Sequence, residues 1–257
     1  MTPKILHYCW FGGKPLPEKE RICIESWKKF LPDYEFKLWD ESSFDINSNE
    51  FCRQAYELKK YAFVSDYVRT KVLYEYGGLY IDTDFEVITP LSSFLEGKNN
   101  VAGWETKVHV GTAILAFNAK HAIIKEFLNY YETHPFVDKN GVCDNIANVS
   151  ILTDLLQERG LKIDRTHQII DDVEIFEREV FYPKKLSESE FRVCENTLGI
   201  HKCSNSWMSD AQLKRGNNYL WRKIARPLLT KLRHYGQLTL GKEFTRKIEI
   251  KLRRYLK

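Results

Sequence analysis

Features of disulfide-stabilised, secreted and membrane-spanning proteins are lacking in this sequence. The six cysteines are scattered and form no CxxC pair, which is typical of reduced thiols in an intracellular protein. Cys203 follows His201 by two residues, but no second cysteine pair completes a zinc site. No apolar run reaches the roughly 18 residues of a membrane span, and the amino-terminal apolar stretch is too short for a signal peptide. We therefore expect a protein that neither crosses a membrane nor is exported through a signal peptide.

Internal repeats and low-complexity linkers are also lacking, and a single break in composition divides the chain. Of its 257 residues, those from 211 onward carry 14 Lys and Arg against 2 Glu, whereas residues 1–210 carry 25 Lys and Arg against 33 Asp and Glu. The net charge of +4 therefore combines +12 in the tail with −8 in the body. The body is long enough for one α/β domain. We predict one domain at residues 1–210 and a basic helical extension at residues 211–257.

The basic tail has helical periodicity. Phe244, Ile248, Leu252 and Tyr255 would share one face of a helix, with Lys and Arg residues around it. Such a helix favours the interface of an anionic membrane, where each nearby Lys or Arg contributes up to about 1 kcal/mol. The alternatives are helices that pack on the body, and binding to nucleic acid or another protein. We favour the anionic membrane surface and expect no nucleic-acid partner.

The body alternates predicted strands and helices, which indicates an α/β fold with a mostly parallel sheet. A strand at residues 4–10, a helix at 18–30 and a strand at 34–39 form the first unit. Residues 50–76 are predicted to be helical, and Gly77-Gly78 supply the left-handed stop before the apolar strand LYIDTDFEVI. The remaining predicted elements are strands at residues 112–118 and 169–176 and helices at residues 121–132 and 148–159.

Two aspartates separated by one threonine, Asp82 and Asp84, lie in that apolar strand. Side chains at i and i+2 of a strand share one face, so both carboxylates would project together where the strand leaves the sheet. Mg²⁺ and Mn²⁺ prefer oxygen ligands and usually take one or two carboxylates, leaving other positions to water and substrate phosphates. The pair predicts a site for a divalent cation and a diphosphate substrate.

Ser65, Asp66 and Arg69 lie within one turn of the predicted helix that precedes these aspartates. Asp66 and Arg69 can form a helical ion pair, which is worth little by itself. Because the helix leads through Gly77-Gly78 into the strand with the aspartates, the same two side chains can also face the cleft. There they would suit sugar hydroxyls as acceptor and donor.

These segments resemble a known family. HYCWFGG (7–13), YAFVSDYVRTKVLYEYGGLYIDTD (61–84) and HKCSNSW (201–207) are similar to the DXD-containing sugar-binding region of glycosyltransferase family 32. That family includes bacterial capsular and surface-polysaccharide transferases, yeast Golgi mannosyltransferases and, more distantly, the glucosyltransferase domains of large clostridial toxins. The similarity covers about residues 3–207.

The resemblance implies a GT-A type, Rossmann-like nucleotide-sugar-binding fold, a Mn²⁺ or Mg²⁺ cofactor, and transfer with retention of anomeric configuration. It implies that Asp84 is the direct metal ligand, with Asp82 and His201 as further metal contacts. It assigns catalytic roles to Asp82, Asp84 and Arg69, and donor binding to Trp10 (stacked on the base), Ser65, Asp66, Arg69, Tyr80, Asp82, Ser206 and Trp207.

The function expected from this resemblance is transfer of a sugar from a nucleotide-diphosphate donor, preferably a UDP-sugar, to a glycan or lipid-linked saccharide. The product would be a capsular, exocellular or cell-surface polysaccharide, made in the cytoplasm on the inner face of the membrane. The alternatives are a toxin-like transferase acting on a protein and a non-catalytic nucleotide-sugar or glycan binder. Retention could proceed by same-face attack or by double displacement. The segment from Trp104 to Thr112 could face the acceptor or form an ordinary hairpin.

Overall fold

The structure, a computed structural model, describes residues 2–139, 141–184 and 190–203, together with isolated positions between 218 and 248. The chain divides into two units, Met1–Ser204 and Asn205–Lys257. All elements named below belong to the first unit. Within the described residues, no helix combines the length and apolarity that a bilayer crossing requires.

Strands and helices alternate through the first unit. Their order is β1 (Ile5–Cys9), α1 (Glu18–Phe30), β2 (Glu35–Trp39), a short 3-10 helix (Ile46–Ser48), α2 (Glu50–Glu57), α3 (Tyr61–Tyr76), β3 (Gly78–Ile81), β4 (Phe85–Val87), α4 (Leu91–Leu95), β5 (Asn100–Gly103), β6 (Ile114–Phe117), α5 (Ala122–Thr133), α6 (Asn148–Gln157), β7 (Gln168–Ile170), β8 (Val173–Phe176), α7 (Arg178–Phe181) and β9 (Gly199–His201).

Seven of these strands form the central sheet, in the order β2-β1-β3-β6-β5-β8-β7. β1 is parallel to β2 and β3, and β5 is parallel to β8, whereas β6 is antiparallel to β3 and β5, and β7 is antiparallel to β8. Five strands (β2, β1, β3, β5 and β8) therefore run in one direction. The predicted α/β class with a mostly parallel sheet is confirmed.

Apolar side chains cover both faces of this sheet. In β3, Leu79 and Ile81 point into one cluster, which α1, α4 and α7 complete, whereas Tyr80 points into the other, which α2, α3, α5 and α6 complete. This alternation follows the two-residue period of a strand. Because both faces are buried at its centre, the central strands β3 (GLYI) and β6 (ILAF) are almost wholly apolar.

The link from α3 to β3 depends on two glycines. Gly77 ends α3 with φ +66°, and its N–H donates to the carbonyl of Leu73 at 3.0 Å. Gly78 follows with φ +102°, and a Cβ there would lie 2.6 Å from the carbonyl oxygen of Ile5. Only glycine suits this backbone so close to β1. The predicted left-handed stop is confirmed.

Three predicted elements differ from those in the structure. The helical stretch 50–76 is two helices, because the chain turns back at Lys59 with φ 56°. The strand predicted at 169–176 is the antiparallel hairpin of β7 and β8. LYIDTDFEVI is not one strand: β3 ends at Ile81, a turn follows, and β4 pairs with β9 in a separate two-stranded sheet. The short elements β5, β9, α4 and α7 were not predicted from the sequence.

His7 in β1 is fully buried. Its Nε2 lies 2.9 Å from the carbonyl oxygen of Gly77, and its Nδ1 accepts a hydrogen bond from the indole of Trp39 at 3.1 Å. The neutral imidazole therefore carries its proton on Nε2 and satisfies both contacts. Burial lowers the pKa of His7 to about 4.

We expect His7 to make the protein less stable in mild acid. The unfolded chain binds a proton near pH 6.5 and the folded chain near pH 4, so stability falls as pH drops through this window, by on the order of 3 kcal/mol. Urea unfolding from pH 7.5 to 4 should show a shallower pH dependence for His7→Gln than for the wild type. His134→Gln, at an exposed histidine, should match the wild type; parallel curves for all three proteins would contradict this account.

Candidate functional site

Polar side chains collect at the edge of the sheet where the parallel strands end. Trp10 follows β1, Asp82 follows β3 and Glu105 lies two residues beyond β5. The antiparallel β6 enters at the same edge, since Ile114 pairs with Ile81. The carboxyl ends of parallel strands in an open α/β sheet are the usual place for a ligand site.

The two aspartates lie in a turn that leaves this edge, not on one strand face as the sequence suggested. The N–H of Asp82 donates to the carbonyl of Ala113 at 2.8 Å, and the N–H of Phe85 closes the turn on the Asp82 carbonyl at 2.9 Å. The N–H of Lys202 donates to the Asp84 carbonyl at 2.9 Å. The predicted proximity of the carboxylates is therefore observed, but the turn and its hydrogen bonds produce it.

His201 reaches the aspartate turn through β9. β9 pairs antiparallel with β4, with His201 opposite Phe85. The imidazole Nε2 lies 3.3 Å from an Asp84 carboxylate oxygen, and one ligand atom each from Asp82, Asp84 and His201 lie within 4.8 Å of one another. The structure brings together all three residues predicted as metal contacts.

The other imidazole nitrogen of His201 faces Glu105. Nδ1 lies 3.3 Å from the Glu105 carboxylate and 3.6 Å from the sulfur of Cys203. Burial alone would lower the pKa of His201, but the hydrogen bonds to Asp84, Cys203 and Glu105 raise it well above the usual value. A cation that takes a nitrogen of this ring must therefore displace a proton.

Arg69 holds the carboxylates of the site in place. It is 4% exposed, and its guanidinium donates to Asp82 at 2.8 Å and to the carbonyl of Thr112 at 2.8 Å, while Asp66 lies 3.5 Å away. The same guanidinium stacks 4.5 Å over the ring of Tyr80, whose hydroxyl donates to Asp82 at 3.0 Å. Asp82 thus accepts two hydrogen bonds on one oxygen. Burial nevertheless raises the pKa of Asp82.

Asp66 is held from a second side by α6. The amide of Asn148 donates to the Asp66 carboxylate at 2.5 Å. Burial raises the pKa of Asp66 to about 7, although Arg69 and Asn148 favour its ionised form. A half-buried carboxyl group with one polar neighbour on each side suits a ligand hydroxyl as hydrogen-bond partner.

The remaining predicted residues have different positions. Trp10 is half-buried, and its indole donates to the carbonyl of Lys14 at 2.6 Å. Ser65 is half-buried on α3, whereas Tyr80 is only 1% exposed and acts on the site through Asp82. Ser206 and Trp207 lie outside the described residues. The roles of these residues in donor binding stay predictions.

Two contacts were not predicted from the sequence. Asn148 meets Asp66 across 82 residues, and Glu105 meets His201 across 96 residues, so no local spacing could have indicated them. The segment 104–110 is a hairpin in which Trp104 pairs with Val110 and is fully buried. Glu105 stands at its start, next to the aspartate turn.

We expect Asp66→Asn to increase stability while it damages the site. The folded pKa of about 7 lies above the unfolded value, so ionised Asp66 costs stability as pH rises from about 4 to 7. The free energy of unfolding of Asp66→Asn, measured by urea unfolding, should therefore exceed that of the wild type, and the excess should be larger at pH 8 than at pH 5 by on the order of 2 kcal/mol.

The control for this variant is Asp40→Asn, for which the expected change in stability has the opposite sign. The hydrogen bond from Ser42 lowers the pKa of Asp40, so its ionised form stabilises the fold and its removal should lower the melting temperature at pH 8. A destabilised Asp66→Asn protein at pH 8 would show that ionised Asp66 supports the fold.

Comparison with known proteins identifies similar sequences for part of the chain. Residues 17–105 match the family model described as "Glycosyltransferase sugar-binding region containing DXD motif". A stretch of 90 residues is 34% identical to inositol phosphoceramide mannosyltransferase 3 of Schizosaccharomyces pombe and covers 32% of this chain. This match spans about a quarter of the yeast protein, 24% of its length.

Several solved glycosyltransferases are similar at lower identity. The PaToxG glycosyltransferase is 20% identical with a TM-score of 0.46, over 61% of this chain and 69% of that one. The galactosyltransferase LgtC, solved with donor and acceptor sugar analogues, is 14% identical with a TM-score of 0.42, over 81% of this chain and 91% of that one. The matched region includes Asp66, Arg69, Asp82 and Asp84, so the predicted resemblance to the DXD-containing sugar-binding region of glycosyltransferases is confirmed over residues 17–105.

Proposed function

We propose that the protein is a metal-dependent, retaining glycosyltransferase that uses a nucleotide-diphosphate sugar, preferably a UDP-sugar. The acceptor is a glycan or lipid-linked saccharide in the synthesis of capsule, exopolysaccharide or another cell-surface polysaccharide. The observation that carries this proposal is the convergence of Asp82, Asp84 and His201 beside the buried Arg69. The two aspartates and Arg69 lie within a family region named for its DXD motif.

The donor set fits a hard divalent cation. Two carboxylates and one imidazole offer oxygen and nitrogen atoms within 4.8 Å, which suits Mn²⁺ and also Mg²⁺, with the other coordination positions left to water and phosphate. Asp84 and His201 would hold the cation directly, together with Asp82. Such an ion, when bound, neutralises the charge that develops on a departing diphosphate.

In this proposal, Arg69 is the residue that positions the carboxylates of Asp82 and Asp66. Both terminal nitrogens of its guanidinium already donate, one to Asp82 and one to the Thr112 carbonyl. It therefore keeps the Asp82 carboxylate oriented, and it lies beside Asp66, which is left to accept from a hydroxyl of the donor sugar. Trp10, in the loop after β1, would stack on the base.

Retention by same-face attack fits the state of the carboxylates at this edge. A double displacement needs a carboxylate free to form a glycosyl–enzyme bond. Asp82 is bound by Arg69 and Tyr80, Asp66 by Asn148, and Asp144 by the hydroxyl of Tyr130. We therefore favour attack of the acceptor hydroxyl on the face that the diphosphate leaves, with the hydroxyl proton passing to the departing phosphate oxygen.

Slow hydrolysis of the proper donor tests the proposed activity. Purified protein with Mn²⁺ and a panel of UDP- and GDP-sugars should release nucleoside diphosphate from one donor without an acceptor. Asp84→Asn should lower this release at least about 100-fold, as expected when a group that stabilises the transition state is removed. Asp33→Asn, at an exposed carboxylate near Lys4, should match the wild type. Metal-dependent nucleotide binding without hydrolysis of any donor would instead indicate a non-catalytic binder.

We also propose that the second unit places the enzyme on the cytoplasmic face of an anionic membrane. Ile224, Leu228, Leu232 and Tyr235 follow helical spacing, and each side chain is more than half exposed. The sequence around them is strongly basic. Exposed apolar side chains among Lys and Arg suit the headgroup region of anionic lipid, where a lipid-linked acceptor would also lie.

Vesicle binding tests this membrane proposal. The double variant Leu228→Ser/Leu232→Ser should bind vesicles of phosphatidylserine and phosphatidylcholine at least about 10-fold more weakly, because two apolar side chains no longer enter the interface. Ile22→Ser/Ile169→Ser, at exposed apolar residues of the first unit, is the matched control and should bind as the wild type does. Equal binding by both double variants in a sedimentation assay would contradict the proposal.

A further inference from the structure

A second group of metal-ligand atoms lies on the far side of the His201 ring. Glu105, His201 and Cys203 each contribute one ligand atom, and these atoms lie within 4.8 Å of one another. The group uses Nδ1 of the imidazole, whereas the Asp82–Asp84 group faces Nε2. Cys203 is exposed and Glu105 is half-buried, so a cation can reach both from solvent.

The distances in this second group match the edges of a tetrahedral zinc-type site. Bond lengths of about 2.3 Å to sulfur and about 2.0–2.1 Å to nitrogen and oxygen place tetrahedral ligand atoms about 3.6 Å apart for S to N and about 3.3 Å for N to O. In this protein, Sγ of Cys203 lies 3.6 Å from Nδ1 of His201, and the Glu105 oxygen lies 3.3 Å from the same nitrogen. Two of the three ligand-to-ligand separations therefore already match those of such a site, and the third lies within 4.8 Å.

The backbone at Cys203 contributes to this geometry. Its φ of 51° is uncommon for a residue other than glycine, and the sulfur lies 3.6 Å from both Nδ1 and the carbonyl oxygen of His201. The chain thus returns the thiol to the preceding imidazole. A thiolate in the donor set selects soft or borderline cations such as Zn²⁺ over Mg²⁺.

The two groups compete for one imidazole. A neutral imidazole has one nitrogen with a free lone pair and one that carries a proton. When Nε2 takes a cation beside Asp84, Nδ1 carries the proton and donates it to Glu105. When Nδ1 takes a cation beside Cys203, Nε2 carries the proton and donates it to Asp84.

We propose that Glu105, His201 and Cys203 form a second cation site, selective for thiophilic divalent cations of the Zn²⁺ class, whose occupancy withdraws His201 from Asp82 and Asp84. The second site stands on its own geometry. Only its antagonism toward the first cation rests on the proposed function. A thiophilic cation therefore binds beside the sugar-nucleotide site and inhibits the enzyme.

Cobalt spectroscopy tests the second site directly. Titration of the whole protein with Co²⁺ should produce a thiolate-to-cobalt charge-transfer band in the near ultraviolet and the intense visible bands of a tetrahedral ion. Cys203→Ser should abolish the charge-transfer band, and Glu105→Gln should weaken Co²⁺ binding at least about 10-fold. Cys194→Ser, at the other exposed cysteine, should leave the spectrum unchanged. A wild-type protein without the band, or a band that survives in Cys203→Ser, overturns the proposal.

Thiol protection checks the site without a variant. Zn²⁺ should slow alkylation of Cys203 at least about 10-fold relative to Cys194, as mapped by peptide mass spectrometry. Equal alkylation rates with and without Zn²⁺ would overturn the assignment of the thiol as a ligand.

The antagonism has its own readout, separate from enzyme activity. One equivalent of Zn²⁺ should weaken Mn²⁺ binding, followed by the electron paramagnetic resonance of free Mn²⁺, at least about 10-fold more in the wild type than in Cys203→Ser, because direct displacement of Mn²⁺ from the aspartates would affect both proteins alike. Unchanged Mn²⁺ binding while the cobalt band is present would refute the competition for His201. Absence of Mn²⁺ binding without any Zn²⁺ would instead count against the proposed function, because the cobalt band does not depend on the aspartates.

Discussion

The candidate site depends on one buried cation, the guanidinium of Arg69. Three acidic side chains, Asp66, Asp82 and Asp84, lie close together at one edge of the sheet, and burial raises the pKa of the first two. Without a positive charge between them, these carboxylates would repel one another in a poorly hydrated place. Arg69 donates to Asp82 and lies beside Asp66, while its other terminal nitrogen is anchored on the carbonyl of Thr112. The guanidinium therefore joins α3, the aspartate turn and the start of β6.

The helix–strand segment that contains Arg69 also determines where the guanidinium lies. Residues 61–84 run from α3 through Gly77-Gly78 into β3. Arg69 lies on the helix before the two glycines and Asp82 follows the strand after them, so the turn of the chain brings the two side chains together. A side chain at either glycine would clash with neighbouring backbone, at Ala119 for Gly77 and at Ile5 for Gly78. The close approach of helix and strand is what lets a guanidinium on α3 reach the end of β3.

His201 has a different kind of role, because it is shared between two sets of ligands. Its Nε2 faces Asp84, and its Nδ1 faces Glu105 and Cys203. A ring with a single available lone pair can serve only one set at a time. Under the proposed function, this chemistry would couple a hard-cation site for sugar transfer to a softer site next to it, with no change of fold.

The sequence by itself determined the class of fold, most of its helices and the family resemblance of the segment 61–84. Periodicity and glycine placement are local signals, and α1 and the Gly77 stop follow from them directly. It also indicated Asp66, Arg69, Asp82 and Asp84 as one functional group, because all four lie within a single helix–strand unit. Local signals failed where a short apolar run had two partners: LYIDTDFEVI reads as one strand, yet β3 pairs in the main sheet and β4 pairs with β9.

Only the tertiary structure decided which distant residues complete the site. Asn148 reaches Asp66 and Glu105 reaches His201 across more than 80 residues, because packing of α6 and the hairpin after β5 brings them to the same sheet edge. No local pattern indicated Glu105 as a third ligand beside His201 and Cys203, since a carboxylate nearly a hundred residues away carries no spacing signal. Contacts of this kind arise when elements distant in the sequence pack around the sheet, and local periodicity contains no information about them.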